Sequence, residues 1–102
     1  MEQRKKALRY RKRIEVEYGQ PGQMTFRGYS GNLSHTGIMI RAVRVFGAGT
    51  ILDLELRFPH RLVKAKGRVK WAREGSVQYL ATGRVGMGIQ FLEPAPDLAD
   101  LV

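Results

Sequence analysis

The fold of this chain is decided around Asn32-Leu33-Ser34-His35-Thr36-Gly37, a polar stretch between two apolar runs. Thr25-Phe26-Arg27-Gly28-Tyr29 precedes it and Ile38-Met39-Ile40 follows it, so the chain is predicted to enter and leave the stretch as β-strands. Asn and Ser side chains hydrogen-bond backbone groups two residues further on, and a glycine supplies a positive φ without a Cβ clash. We therefore predict a tight turn over residues 32–37, with the positive φ at Gly37.

Alternation of apolar and polar residues predicts strands on both sides of this turn. The clearest case places Leu52, Leu54, Leu56 and Phe58 on one face of a strand. The predicted strands cover residues 14–18, 23–29, 37–43, 50–58, 62–71 and 85–91. A weaker pattern at 77–80 extends a hairpin. Six or seven short strands, with turns about every 8 to 12 residues, indicate a closed antiparallel barrel or a sandwich.

The chain of 102 residues has the size of one domain. Residues 1–13 are polar and basic, which predicts a flexible arm, because so little apolar surface cannot offset the entropy of ordering it. The β-domain is predicted over residues 14–93. A short tail, 94–102, follows, in which Asp97 is positioned to cap a few helical residues.

The charge balance predicts an anionic partner. Lys and Arg number 18 against 9 Asp and Glu, giving a formal net charge of +9. Nucleic acid, a nucleotide, a membrane surface or an acidic protein would each suit this charge. The absence of cysteine excludes disulfides and thiolate chemistry, and no segment has the length of a membrane span, so we expect a cytoplasmic protein.

The residues offer little for catalysis or metal binding. Ser34 and His35 are neighbours, and neighbours in a strand point to opposite faces, so they do not predict a nucleophile and its base. With only His35 and His60 there is no histidine-rich cluster, and Asp53 and Glu55 lie on the exposed side of an amphipathic strand. We predict that the protein is not an enzyme, and that it has neither a metal nor a cofactor.

Anion binding is better supported. Arg9-Tyr10-Arg11-Lys12-Arg13 places two arginines four residues apart directly before the first strand. An Arg fork donates paired hydrogen bonds to a phosphate or to the O6/N7 edge of guanine. Asn32 and Ser34 add short polar groups, and Gly37 allows close approach to the main chain. Together these residues suit a guanine nucleotide with several phosphates.

The same motifs, in the same order, resemble the PilZ domain, a small bacterial β-barrel domain. The Arg-x-x-x-Arg pair is followed by an Asn-x-Ser-x-x-Gly turn, and Gly67-Arg68-Val69-Lys70-Trp71 is similar to the family's Gly-x-Val-x-Trp strand. Gly86-Met87-Gly88-Ile89-Gln90-Phe91 is similar to its closing Gly-x-Gly-x-x-Phe. The resemblance covers nearly the whole chain.

This resemblance implies an all-β fold, a six-stranded antiparallel split barrel, and a role as a cyclic di-GMP receptor in second-messenger signalling. The basic arm would wrap the ligand, often an intercalated dimer. Because we find no output domain in these residues, the domain would act either through an effector protein that recognises the reshaped surface or as a fragment of a longer protein. The implied ligand-binding residues are Arg9, Tyr10, Arg11, Arg13, Asn32, Ser34, Gly37 and Trp71.

Several of these assignments have a simpler structural interpretation. Tyr10 and Arg11 could equally face water, and Trp71 shares a face with Val63 and Val69, which predicts a core or barrel-edge aromatic. Asn32 stands where the family more often has Asp, and its single acceptor oxygen predicts weaker binding of guanine. The cations Lys64, Lys66, Arg68 and Lys70 form a stripe that is predicted to face solvent.

Two other functions are compatible with these residues. One is a single-stranded nucleic-acid binder of the OB or cold-shock type, although the aromatic residues are scattered rather than lining one strand. The other is a PilZ-like protein adaptor that has lost its ligand, a reading that Asn32 leaves open.

Overall fold

The computed structural model describes residues 13–76 and 85–93. These residues form six strands and no helix: β1 Glu15–Gln20, β2 Gln23–Leu33, β3 Gly37–Arg41, β4 Ile51–Phe58, β5 Arg61–Arg73 and β6 Gly86–Phe91. All pairings are antiparallel, so the prediction of an all-β chain with six antiparallel strands is confirmed. The basic arm up to residue 12, the predicted hairpin at 77–80 and the tail at 94–102 lie outside the described residues. None of the described residues form a helix that could cross a membrane.

The sheet closes on itself. Its strand order is β1-β2-β3-β6-β5-β4, and β4 pairs back onto β1 through Tyr18 and Leu54, among other pairs. Closure gives each of the six strands two neighbours and leaves few backbone groups exposed at an edge. Every strand therefore has one face toward the enclosed core and one toward solvent.

The core is built from the alternate residues that the sequence pattern placed on one face. Val16 and Tyr18 are fully buried, and Leu52, Leu54, Leu56 and Phe58 are buried as predicted. The Tyr18 hydroxyl donates a hydrogen bond to the Arg44 carbonyl, so the one polar atom of this core side chain is satisfied. The fully buried side chains are Val16, Tyr18, Leu33, Ile40, Leu52, Leu54, Leu56, Val69, Val85 and Met87.

Two strands contain a β-bulge, which the alternation did not predict. In β2, Ser30 pairs with Ile40 while Asn32 pairs with Met39, so one extra residue lies on β2 at this point. In β5, Val69 pairs with Ile89 while Trp71 pairs with Gly88, which again leaves one extra residue. A bulge reverses the face on which the following side chains lie.

The strand boundaries near the central turn also differ from the prediction. The β2 strand runs on to Leu33, so Asn32 belongs to a strand and the connection is only Ser34 to Thr36. The β3 strand ends at Arg41 rather than at residue 43, and β5 continues to Arg73. Cross-strand pairing with β3 explains the first difference, because it holds the polar end of β2 in the ladder.

Candidate ligand-binding site

Four residues form one row across the outer surface of the sheet. Asn32 pairs with Met39, Met39 pairs with Gly88, and Gly88 pairs with Trp71, which joins β2, β3, β6 and β5. Neighbouring strands lie about 4.8 Å apart, so the row spans roughly 14 Å from end to end. Asn32 and Trp71 are exposed and Met39 is half-buried. We call this set the outer row.

Both ends of the outer row reach the surface because of the two bulges. Without the extra residue in β2, Asn32 would share the inward face of Ser30, which is only 4% exposed. Without the one in β5, Trp71 would share the inward face of Val69, which is 1% exposed. The prediction that Trp71 shares a face with Val63 and Val69 is therefore wrong: Trp71 is 43% exposed. Bulges often re-aim side chains in this way beside functional sites.

The turn after Asn32 is held by Ser34. The Ser34 N–H donates to the Gly37 carbonyl at 3.0 Å, and the Thr36 N–H donates to the Ser34 hydroxyl at 3.3 Å. The same hydroxyl lies 3.0 Å from that of Thr36. Ser34 thus bonds the backbone two residues on, as predicted, and its hydroxyl is engaged with Thr36 rather than with His35.

Gly37 is required for a reason other than the predicted one. The described residues with a positive φ are Gly22, Gly49 and Gly86, so the expected left-handed conformation at Gly37 is wrong. A Cβ at this position would instead lie 2.5 Å from the Ile89 carbonyl oxygen of β6. Gly37 therefore permits close approach between β3 and β6, directly beside the outer row.

An open cleft of about 510 Å³ lies over the outer row and this turn. Asn32, Ser34, Gly37 and Trp71 all line it. Asn32, Ser34 and Gly37 come from one motif and Trp71 from β5, and the structure brings these two parts of the chain to one concave surface. Arg9, Tyr10 and Arg11 lie outside the described residues.

Arg13 does not line this cleft and contacts a different residue of β2. Its guanidinium carbon is 5.3 Å from the ring centroid of Tyr29, a cation–π distance. Tyr29 is 49% exposed and precedes the bulge in β2. Arg13, the last residue of the basic arm, therefore lies over the exposed Tyr29 side chain of β2.

Sequence reasoning missed Arg41. This residue pairs with Tyr29 across β2 and β3, and its side chain lies over Gly31, where a Cβ would come within 2.9 Å of the Arg41 Nε. That Nε is buried and has no hydrogen-bond partner among the described residues. A buried donor without a partner costs free energy. The signal in the sequence was the outward alternation of Gly37, Met39 and Arg41 along β3.

Comparison with known proteins identifies the family. The family model for the PilZ domain matches residues 3–102. The chain belongs to the PilZ domain family. PilZ domains form a family of cyclic di-GMP receptors and are generally non-catalytic binding domains.

A solved structure has the same fold. The structure of the Bacillus subtilis inhibitor of motility, MotI/DgrA, aligns with a TM-score of 0.73 at 20% sequence identity. The alignment covers 97% of this chain and 47% of that one, so the chain spans about half the length of that structure. No curated protein matches the chain.

The PilZ domain divides its outer surface by charge. Around β1 and β4 the acids are paired: Glu17 lies 2.6 Å from Arg57 and 3.1 Å from Arg27, and Asp53 lies 2.7 Å from Lys66. The hydrogen bond from Arg57 lowers the pKa of Glu17, and the same bond raises the pKa of Arg57. This part of the surface is close to self-neutralised.

On the side of the cleft, positive charges are not matched by acids in the same way. The β3 and β6 strands contain no acidic residue. Lys70 lines the cleft, while Arg68 and Arg41 lie on the strands that form it. With no acid on β3 or β6 beside them, these cations favour an anionic ligand at the cleft. Lys66, one of the four cations of the predicted stripe on β5, pairs with Asp53 on the self-neutralised surface. The stripe therefore contributes cations to both surfaces.

Proposed function

We propose that this PilZ domain is a non-catalytic bacterial receptor module that binds cyclic di-GMP over the outer row. One observation carries the proposal: Asn32, Ser34, Gly37 and Trp71 line a single open cleft together with the cation Lys70. A cyclic dinucleotide presents two phosphates and two purine rings, which require positive charge, planar stacking surface and base-edge hydrogen bonds.

Each proposed contact follows from the chemistry of its side chain. Arg9 and Arg13 would take a phosphate and the O6/N7 edge of a guanine, and Tyr10 and Arg11 would lie against the same ligand. The Asn32 amide oxygen would accept from the guanine Watson–Crick edge, and Trp71 would stack on a base. Arg41 adds a donor for phosphate from β3.

The signal would pass through the basic arm. In this proposal the ring of strands over residues 14–93 is the family's six-stranded split barrel, and the arm at 1–13 becomes ordered across the ligand. An effector protein in the bacterial cytoplasm would then recognise the reshaped surface. The tail at 94–102 is assigned no part in ligand binding.

Isothermal titration calorimetry with cyclic di-GMP, GTP and a short single-stranded RNA tests the proposal. We expect saturable binding of cyclic di-GMP alone. The molar ratio of ligand to protein will show whether one ligand molecule or an intercalated pair binds. The Arg13→Ala variant should bind about tenfold to a hundredfold more weakly, because a bidentate contact is lost. Heat with RNA alone would support the nucleic-acid binder instead, and no heat with any of the three would support the adaptor.

A further inference from the structure

Trp71 lies directly against the backbone of Gly88. A Cβ built on Gly88 would lie 2.1 Å from the Trp71 Nε1 and 2.4 Å from its Cε2. These distances are far below van der Waals contact, so the indole occupies the space that any side chain at position 88 would need. The nearest atoms all belong to Trp71. A larger residue at 88 would therefore displace the indole.

The indole is held at the surface rather than buried there. The bulge at Lys70 turns Trp71 outward, the pairing of Trp71 with Gly88 places it over β6, and 43% of the residue remains exposed. An aromatic ring supported by backbone beneath it, with an accessible surface above, provides a stacking platform that needs little ordering when a base binds.

We propose that Gly88 is a positioning residue: by lacking a side chain, it fixes the Trp71 indole as a preformed platform and so sets the affinity of the cleft for a planar base. The affinity part of this inference rests on the proposed function. The positioning part concerns the ligand-free protein and stands independently. Gly88 itself contributes no contact through a side chain.

The positioning part is tested without ligand. Trp71 is the single tryptophan of the chain, so its emission reports only this site. Gly88→Ala should shift the emission to longer wavelength and increase quenching by acrylamide, because the indole moves off β6 into water. Gly67→Ala is the matched control: it lies on the neighbouring strand, and its Cβ would meet Ile89 Cγ2 at 2.4 Å rather than Trp71. Unchanged emission and quenching in folded Gly88→Ala would overturn the inference.

The affinity part is tested by a double-mutant cycle with cyclic di-GMP. Gly88→Ala and Trp71→Ala should each weaken binding about tenfold, the order expected for one stacked base. The double variant should bind no more weakly than Trp71→Ala, and removal of the indole also relieves the overlap that could unfold Gly88→Ala. Additive losses, or full affinity in Gly88→Ala, would overturn the inference. If the wild type binds no cyclic di-GMP, the proposed function and the affinity part fail together, while the emission still decides the positioning part.

Discussion

Ile14 and Ser30 exchange two hydrogen bonds, one in each direction. The Ile14 N–H donates to the Ser30 hydroxyl at 3.1 Å, and the Ser30 N–H donates to the Ile14 carbonyl at 2.9 Å. Ser30 is 4% exposed, so these bonds lie away from water. They fix the point at which the chain leaves the sheet toward Arg13, whose guanidinium lies over Tyr29.

Removal of the Ser30 hydroxyl should destabilise the fold. Ser30→Ala leaves the buried Ile14 N–H without its acceptor, and an unsatisfied buried donor costs about 1 to 3 kcal/mol. Urea denaturation should show this loss in the free energy of unfolding. Ser76→Ala, an exposed serine, should change it by less than about 0.5 kcal/mol. A Ser30→Ala variant as stable as the wild type would show that another group takes over the Ile14 N–H.

Arg41 should contribute to binding and little to stability. Its Nε has no partner among the described residues, so Arg41→Ala should cost little in unfolding free energy. It should weaken cyclic di-GMP binding about tenfold, since a hydrogen bond between charged groups is lost. Calorimetric titration will measure this. Arg27→Ala is the control, because Arg27 pairs with Glu17 away from the cleft; equal losses in both variants would point to a non-specific charge effect.

Asn32→Asp should tighten binding. A carboxylate offers two acceptor oxygens to the guanine N1–H and N2–H₂ where the amide offers one, and the hydrogen bonds become charge-assisted. We expect a gain in affinity of about tenfold, and a loss in Asn32→Ala. Weaker binding by Asn32→Asp than by the wild type would mean that this side chain faces a phosphate rather than a base edge.

Alkaline pH should destabilise the protein through Tyr18. Burial raises the pKa of Tyr18 from 10 to about 12, against a smaller opposing effect of Arg44. The folded state therefore holds the phenolic proton more tightly than the unfolded state, so this stability is complete below about pH 10 and is lost as pH rises toward 12. Urea midpoints measured from pH 8.5 upward should fall more steeply for the wild type than for Tyr18→Phe, which has no proton to lose there. If the urea midpoint fell equally with pH in both proteins, Tyr18 would not be the source of the pH dependence.

The alternation of residues was sufficient to predict the six strands and most of the core. Leu52 to Phe58 follows a strict period of two because β4 is regular over its whole length. The same rule failed for Trp71, because one extra residue in β5 reverses the faces and the sequence at Lys70 carries no sign of it.

The motif singled out residues that the structure brings together, but it did not predict their conformation. Asn32, Ser34 and Gly37 line one cleft, yet Gly37 is needed for its contact with Ile89 and not for its φ. That contact joins residues distant in sequence, so no local pattern could reveal it. The alternation along β3 places Arg41 on the outer face, but its position over Gly31 depends on the bulge in β2, which no local pattern predicts.

The most direct test of where the ligand binds is an NMR titration of the ¹⁵N-labelled protein with cyclic di-GMP. We expect the Trp71 indole N–H and the amides of Asn32, Met39 and Gly88 to shift on binding, while those of Glu17 and Glu55 on the opposite surface stay in place. Shifts centred on Glu17 and Glu55, or no shifts at saturating ligand, would contradict binding over the outer row.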